Sequence, residues 1–263
     1  MIVNLHKMRT VLSKEVEYYF SFENGDYFVN NWLEKIVEIE FQNEINCIHC
    51  GRKTKKSFFQ GYCYPCFIKL PQTDECILHP EKCMAHKGIS RDMEWSEKNC
   101  LTDHVVYLSN TGTIKVGVTR ETQVPTRWID QGASQAIQVA QTPNRHIAGL
   151  IEVDLKQYFK DKTQWQKMLK TGNDTESDLA YFKSMAVDKL NPDLKEYLVA
   201  SDEIVQVNYP IVKSPDKVKS FNLDKVSYYK GKLVGIKGQY LIFEDGMVFN
   251  VRKHGGYKVK LIL

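Results

Sequence analysis

The sequence predicts an α+β protein organised around bound zinc. Three observations carry that expectation: apolar runs broken by Asn-Gly and Asp-Gly turns near both ends, two Cys-x-x-Cys pairs, and a strand–turn–strand–helix pattern from His104 onward. The N-terminal stretch, residues 1–45, carries the runs "EVEYYFSF", "YFVNN" and "KIVEIEF", the first two joined by "ENGD". Asn24 and Gly25 both tolerate positive φ, so a small antiparallel sheet is expected here.

Residues 46–103 are polar, irregular and rich in cysteine, and they have no apolar pattern that could build a core without metal. From 104 to 200 an α/β domain is expected. "HVVYLS" and "TIKVGVT" flank Asn110-Thr111-Gly112, and Pro125 marks the start of a helix through "TRWIDQGASQAI". The strand "IQVAQT" follows, then a helix through "NRHIAGLIEVDLKQYF" capped by Thr142 or Asn144. Ala148-Gly149 leaves a strand through "IAGLIEVDL" as the competing assignment. "KTQWQKMLKTG" reads as a short amphipathic helix and "NDTESD" as a break. Residues 176–200 read as a helix with Leu179, Phe182, Met185 and Ala186 on one side. The last segment, 201–263, returns to β structure with a turn at Glu244-Asp245-Gly246. It is expected to form a small antiparallel barrel or sheet packed with residues 1–45. Lys237, Arg252, Lys253, His254 and Lys258 would give that barrel a basic face, with Tyr240 and Tyr257 as exposed stacking aromatics.

The chain has 263 residues, 43% hydrophobic and 26% charged, which is ordinary for a soluble globular protein. No apolar run approaches the roughly 20 residues of a membrane helix, and "MIVNLHKMRT" lacks a signal-peptide core, so a cytoplasmic location without membrane contact is expected. The net charge of +4 says less than its distribution. Arg52, Lys53, Lys55, Lys56 and Lys69 face no acidic residue between positions 46 and 70, while Glu34, Glu38, Glu40 and Glu44 crowd the segment before. Such a basic stripe, with Phe58, Phe59 and Tyr62 in "GRKTKKSFFQGY", suits phosphate contacts and base stacking. The same aromatics could instead pack the zinc module.

All 7 cysteines lie between positions 47 and 100. Cys47, Cys50, Cys63 and Cys66 form two Cys-x-x-Cys knuckles, the donor set of a closed, structural Zn²⁺ site. Cys76, Cys83, His86 and Cys100 are expected to form a second zinc site, with His79 or His104 as alternatives to His86. One or two structural zinc ions are therefore implied.

"VYL", then "KVG" after a short turn, then Thr119 and Arg127, resembles the GIY-YIG endonuclease superfamily over residues 104 to 160, in its KIG-type variant. The whole chain, with "GYCYPC", "TRWIDQGA" and "GIKGQYL", also resembles an uncharacterised bacterial domain-of-unknown-function family. The superfamily resemblance implies a GIY-YIG-like domain in which Tyr107 lies near the attacking water, Arg127 clamps the scissile phosphate and Glu152 binds Mg²⁺ or Mn²⁺. Lys115 stands where the second motif tyrosine is usual. A lysine is a charged donor with no acceptor, so it can hold a phosphate but cannot replace that phenol. No histidine follows Arg127 to act as a general base.

The function expected is a zinc-containing nucleic-acid-binding protein for DNA or RNA, in its enzymatic form a divalent-metal-dependent endonuclease. Arg52, Lys53, Lys55, Lys56 and Arg120 are the expected backbone contacts. The alternatives are a non-catalytic binder of structured DNA, RNA or a nucleoprotein particle, and a zinc-stabilised protein-interaction scaffold.

Overall fold

Alternation of buried and exposed positions along "EYYFSF" puts Tyr18 and Phe20 into a core while Glu17, Tyr19 and Ser21 face outward, the period of a half-buried strand. The computed structural model describes residues 1–22, 25–173 and 177–263, so Asn24 of the first expected turn and Asp174 to Glu176 of the polar break lie outside the described residues. The chain divides into two units: residues 1–68 with 169–172 and 208–263, and residues 69–168 with 173–207. It is a mixed α+β protein with several sheets.

The first unit begins with β1 (Ile2–Asn4), β2 (Arg9–Val11), β3 (Glu17–Phe22), β4 (Gly25–Phe28), the long β5 (Ile36–Asn46), β6 (Lys53–Thr54) and α1 (Tyr64–Lys69). The second contains α2 (Met93–Asn99), β7 (His104–Asn110), β8 (Ile114–Arg120), α3 (Thr126–Asp130), β9 (Gln135–Thr142) and α4 (Arg145–Leu155). After α5 (Trp165–Lys170), α6 (Leu179–Lys189) and β10 (Ile204–Gln206) complete it. The chain then returns to the first unit with β11 (Lys219–Ser220), β12 (Tyr228–Lys237), β13 (Tyr240–Phe243), β14 (Met247–Asn250) and β15 (Tyr257–Ile262).

In the first unit, N- and C-terminal strands share one sheet in the order β1-β15-β5-β12-β13-β14-β11, with β6 beside β5, and β2-β3-β4 form a separate sheet. Among the described residues the two end strands of the large sheet do not pair with each other, so it is a sheet rather than a closed barrel. Part of its expected basic, aromatic face is core, while Lys253 is exposed and Tyr240, Arg252 and Lys258 are half-buried. Lys237 is buried and donates to the Gly172 carbonyl, and His254 stacks on Phe249 at 4.5 Å. Tyr257 is also buried, its hydroxyl donating to Asp224 at 2.8 Å. Burial brings His254 down to about 4, so it sits there uncharged.

In the second unit a four-stranded antiparallel sheet runs β10-β9-β7-β8. Every position of β7 is buried, as expected of a central strand covered on both faces. Val106 and Leu108 join Ala148, Ile151 and Leu155 of α4 and Leu179 and Ala186 of α6. The intervening Val105 and Tyr107 point the other way, against Trp128 of α3. Helix α3 is only five residues long, shorter than its sequence pattern predicts, because Gln135 already belongs to β9. Asn144, rather than Thr142, caps α4 by accepting from the Ile147 amide at 3.0 Å.

Gly117 has a steric reason. It pairs with Tyr107 across the β7–β8 ladder, and a Cβ there would lie 2.7 Å from the Tyr107 hydroxyl. Gly117→Ala is expected to lower unfolding stability by about 1–3 kcal/mol through overpacking. Urea denaturation tests this, and an unchanged midpoint would show that the ring is not fixed against β8.

Candidate functional site

Among the described residues, two groups of thiols and one polar cleft bring chemistry-bearing side chains together. The sulfurs of Cys47, Cys50, Cys63 and Cys66 lie within 4.8 Å of one another. The Cys50 and Cys63 sulfurs are 3.8 Å apart, which fits the roughly 3.8 Å edge of a tetrahedron with Zn–S bonds of about 2.3 Å. The first knuckle follows β5 directly and the second opens α1, so both turns are fixed by regular backbone. Burial works against the Cys47 thiolate, yet amides of Cys50, Cys63 and His49 directed at it bring it down to about 6. Burial, followed by hydrogen bonds with the neighbouring sulfurs, pushes Cys66 up to about 12. This cluster could hold zinc, with no coordination position left for a substrate.

Between these knuckles, Arg52, Lys53, Lys55 and Lys56 are exposed. Lys53 pairs with Glu44 at 3.3 Å, and Lys56 lies over the Phe58 ring. Phe58 and Phe59 both pack on Phe67, with centroids 5.8 and 6.2 Å away. The aromatics thus face one another inside the knuckle module, while the cations remain on its surface.

Cys76, Cys83 and Cys100 bring their sulfurs within 4.8 Å in the second unit. The three share their protons unevenly: hydrogen bonds from Cys76 and Cys83 hold Cys100 low, with help from the Arg145 guanidinium. The same contacts, with Cys100 foremost, push Cys76 up. This cluster also could hold zinc. His86 is not part of the cluster: it is exposed and its ring stacks on His146 at 4.4 Å. The ring of His104 is buried, with Nδ1 2.6 Å from the Thr102 carbonyl, and burial brings it down to about 4. Three thiolates leave a tetrahedral ion one position for water or another ligand. A cavity of 320 Å³ lined by all three cysteines with Met84, Ile89 and Trp95 provides space for it. Arg120, expected among the backbone-contacting cations, lies beside this cluster, donating to Asn99.

The cleft, 380 Å³ in volume, is lined by Lys115 and Gly117 of β8, Arg127 of α3, Gln131 just after it, Glu152 and Lys156 of α4, and His79 from the loop between Cys76 and Cys83. Asp161 and Lys162 complete its rim. Lys115, Arg127 and Glu152 are thereby brought together, as three of the four expected catalytic positions. Tyr107 lies behind them. It is fully buried, and its hydroxyl donates to Gln131 Oε1 at 2.8 Å; burial pushes the phenol up, and the nearby Arg127 charge opposes that. It therefore orients cleft residues instead of facing the space itself. Gln131 was visible in the sequence only as a neighbour of Arg127, and its role depends on Tyr107.

Burial drives the electrostatics here. It lowers Lys115 to about 8, and the nearby Arg127 charge adds to the effect while Glu152 and Asp161 oppose it. Burial raises Glu152, against the attraction of Lys156, whose Nζ is 3.5 Å from its carboxylate, and of Lys115. Lys115, Arg127, Lys156 and Lys162 outnumber Glu152 and Asp161, so the space favours an anion. His79, whose Nδ1 lies 3.5 Å from Glu81, adds the imidazole that the segment after Arg127 lacks. It was legible as a spare metal ligand, but its place in the cleft depends on the path of an irregular loop.

A family model described as "Protein of unknown function (DUF2797)" matches residues 34–259. The chain belongs to that family. The match includes both thiol clusters and every cleft residue named above, so the two clusters and the cleft all lie in the family region. No curated protein and no solved structure matches the chain. No helix among the described residues is long and apolar enough to cross a membrane.

The thiol clusters predict about two zinc ions per chain by elemental analysis. Cys50→Ser should lose one of them and most of its soluble yield, because a structural zinc contributes on the order of 10 kcal/mol to such a module. A soluble, folded Cys50→Ser protein with full zinc content would contradict this.

Proposed function

We propose that this is a zinc-containing nucleic-acid-binding protein whose cleft seats a backbone phosphate of DNA or RNA. The observation that carries the reading is the convergence of Lys115, Arg127, Lys156 and Lys162 on one 380 Å³ space with a single buried carboxylate, Glu152. Guanidinium and ammonium groups held in a partly desolvated recess match a phosphodiester in charge and donor number. The Tyr107 hydroxyl fixes Gln131 by donating to it, and the Arg127 charge lies close to the same phenol. The exposed Arg52, Lys53, Lys55 and Lys56 extend the positive surface of the first unit and would contribute salt-sensitive, sequence-independent contacts.

Kinship with the GIY-YIG superfamily belongs to the same proposal. It is supported by the antiparallel β7–β8 hairpin carrying Gly117 and by the shared cleft of Arg127 and Glu152, the positions to which the resemblance assigns roles. Phosphodiester cleavage is the second reading, favoured by the placement of His79 beside Arg127 and Glu152. Glu152 is the residue that would hold Mg²⁺ or Mn²⁺, which would supply charge neutralisation at the leaving oxygen. In that reading Arg127 binds the phosphate, Lys115 stabilises its charge and His79 accepts the proton of the attacking water.

Binding of a fluorescein-labelled oligonucleotide, followed by anisotropy, tests the main reading. Arg127→Ala should weaken it roughly 10- to 100-fold, the loss of about 1.5–3 kcal/mol for charged hydrogen bonds. Unchanged affinity would remove the cleft as the binding site. Because Lys115 is charged only below about 8, wild-type affinity should fall as pH rises from 7 to 9. Lys115→Arg should flatten that dependence, and an identical slope in both proteins would assign the titration elsewhere. Nicking of labelled DNA or RNA with Mg²⁺ or Mn²⁺, lost in Glu152→Gln, would establish cleavage; none by the wild type would leave a binding protein.

A further inference from the structure

One wall of the cleft is made by Ile77, Leu78, His79 and Pro80, and the chain carrying them runs from one thiol of the second cluster, Cys76, to another, Cys83. Its regular structure consists of two single turns of 3-10 helix, Glu75–Ile77 and Pro80–Lys82, a geometry that rarely sustains itself. Leu78 is 64% exposed, and Pro80 is the one buried residue between positions 77 and 82. What fixes it lies at its ends and on its α4 side.

Three contacts join α4 to this cysteine segment. The Arg145 amide donates to the Cys100 carbonyl at 2.8 Å. His146 Nδ1 lies 2.8 Å from the Glu81 carbonyl. Gly149 lies so close to the Pro80–Glu81 backbone that a Cβ would collide with the Pro80 carbonyl carbon and the Glu81 amide nitrogen. Glu152 follows on the same helix, in the cleft. A shift of the loop therefore moves the wall and loosens the helix that carries the carboxylate. Three clustered thiols, two of them buried, hold one another weakly by shared protons, whereas a bound ion makes them one rigid clamp.

We infer that a metal ion held by Cys76, Cys83 and Cys100 sets the loop wall of the cleft and, through Gly149, the position of α4. The consequence for nucleic acid rests on the phosphate reading above; the structural coupling does not. The metal is thus a positioning element for Glu152 and His79, and touches no substrate.

Full-length wild type, Cys83→Ser, Cys83→His and Gly149→Ala test this by zinc analysis, peptide-resolved hydrogen–deuterium exchange and oligonucleotide anisotropy. Cys83→Ser should lose one zinc per chain, exchange faster over both 77–82 and 145–152, and bind about 10-fold more weakly. Cys83→His, which restores a zinc ligand, should return all three readouts towards wild type. Gly149→Ala should keep both zinc ions yet exchange faster over 77–82, which covers the case in which Cys83→Ser fails to fold. Unchanged exchange over 145–152 after loss of the zinc, or over 77–82 in Gly149→Ala, would overturn the inference. Faster exchange with unchanged affinity would uphold the metal-set wall and remove the phosphate reading.

Discussion

The Tyr107 hydroxyl, shut away from solvent on the central strand of the second unit, has to be hydrogen-bonded where it lies. That requirement organises the cleft. The ring passes directly over Gly117, where no larger residue fits, and the hydroxyl donates to Gln131 just beyond α3, with the charge of Arg127 on α3 close by. Trp128, edge-on to Tyr107 at 5.9 Å, anchors the same short helix in the core. One buried phenol thus couples the β7–β8 hairpin to the orientation of a guanidinium at the surface. The five-residue helix could not hold that guanidinium by backbone hydrogen bonding alone.

The electrostatics follow from that placement. Lys115 is buried beside another cation, so its charge is costly without an anion and is better stabilised with one. Glu152 is buried as well, and Lys156 offsets part of that cost. A recess in which cations outnumber carboxylates and are partly desolvated is poised for an anionic group with several acceptors. The loop between Cys76 and Cys83 closes one side of it, linking the second thiol cluster to the cleft.

Much of this was legible in the sequence where local rules dominate. The β-branched runs around Asn110-Thr111-Gly112 and the Asn144 cap specify β7, β8 and α4 by short-range chemistry, and the four knuckle cysteines specify their own cluster by spacing. The wall at 77–80 was hidden because 3-10 turns leave no periodic signal. His86 was misleading because ligand-like spacing after Cys83 says nothing about its stacking on His146. Tyr257 carried no sign of burial, since a Gly-rich β segment reads alike whether its aromatics face solvent or a neighbouring strand. Tyr107 was identified, but as a cleft residue; that it lies behind the cleft depends on which side of β7 α3 covers.

A crystal structure of the protein with a short bound oligonucleotide would show whether the cleft seats a phosphate. A backbone phosphate should lie within hydrogen-bond distance of both Lys115 and Arg127, with the Tyr107–Gln131 contact intact. A strand bound only along the Arg52–Lys56 surface, with the cleft unoccupied by phosphate, would contradict that placement.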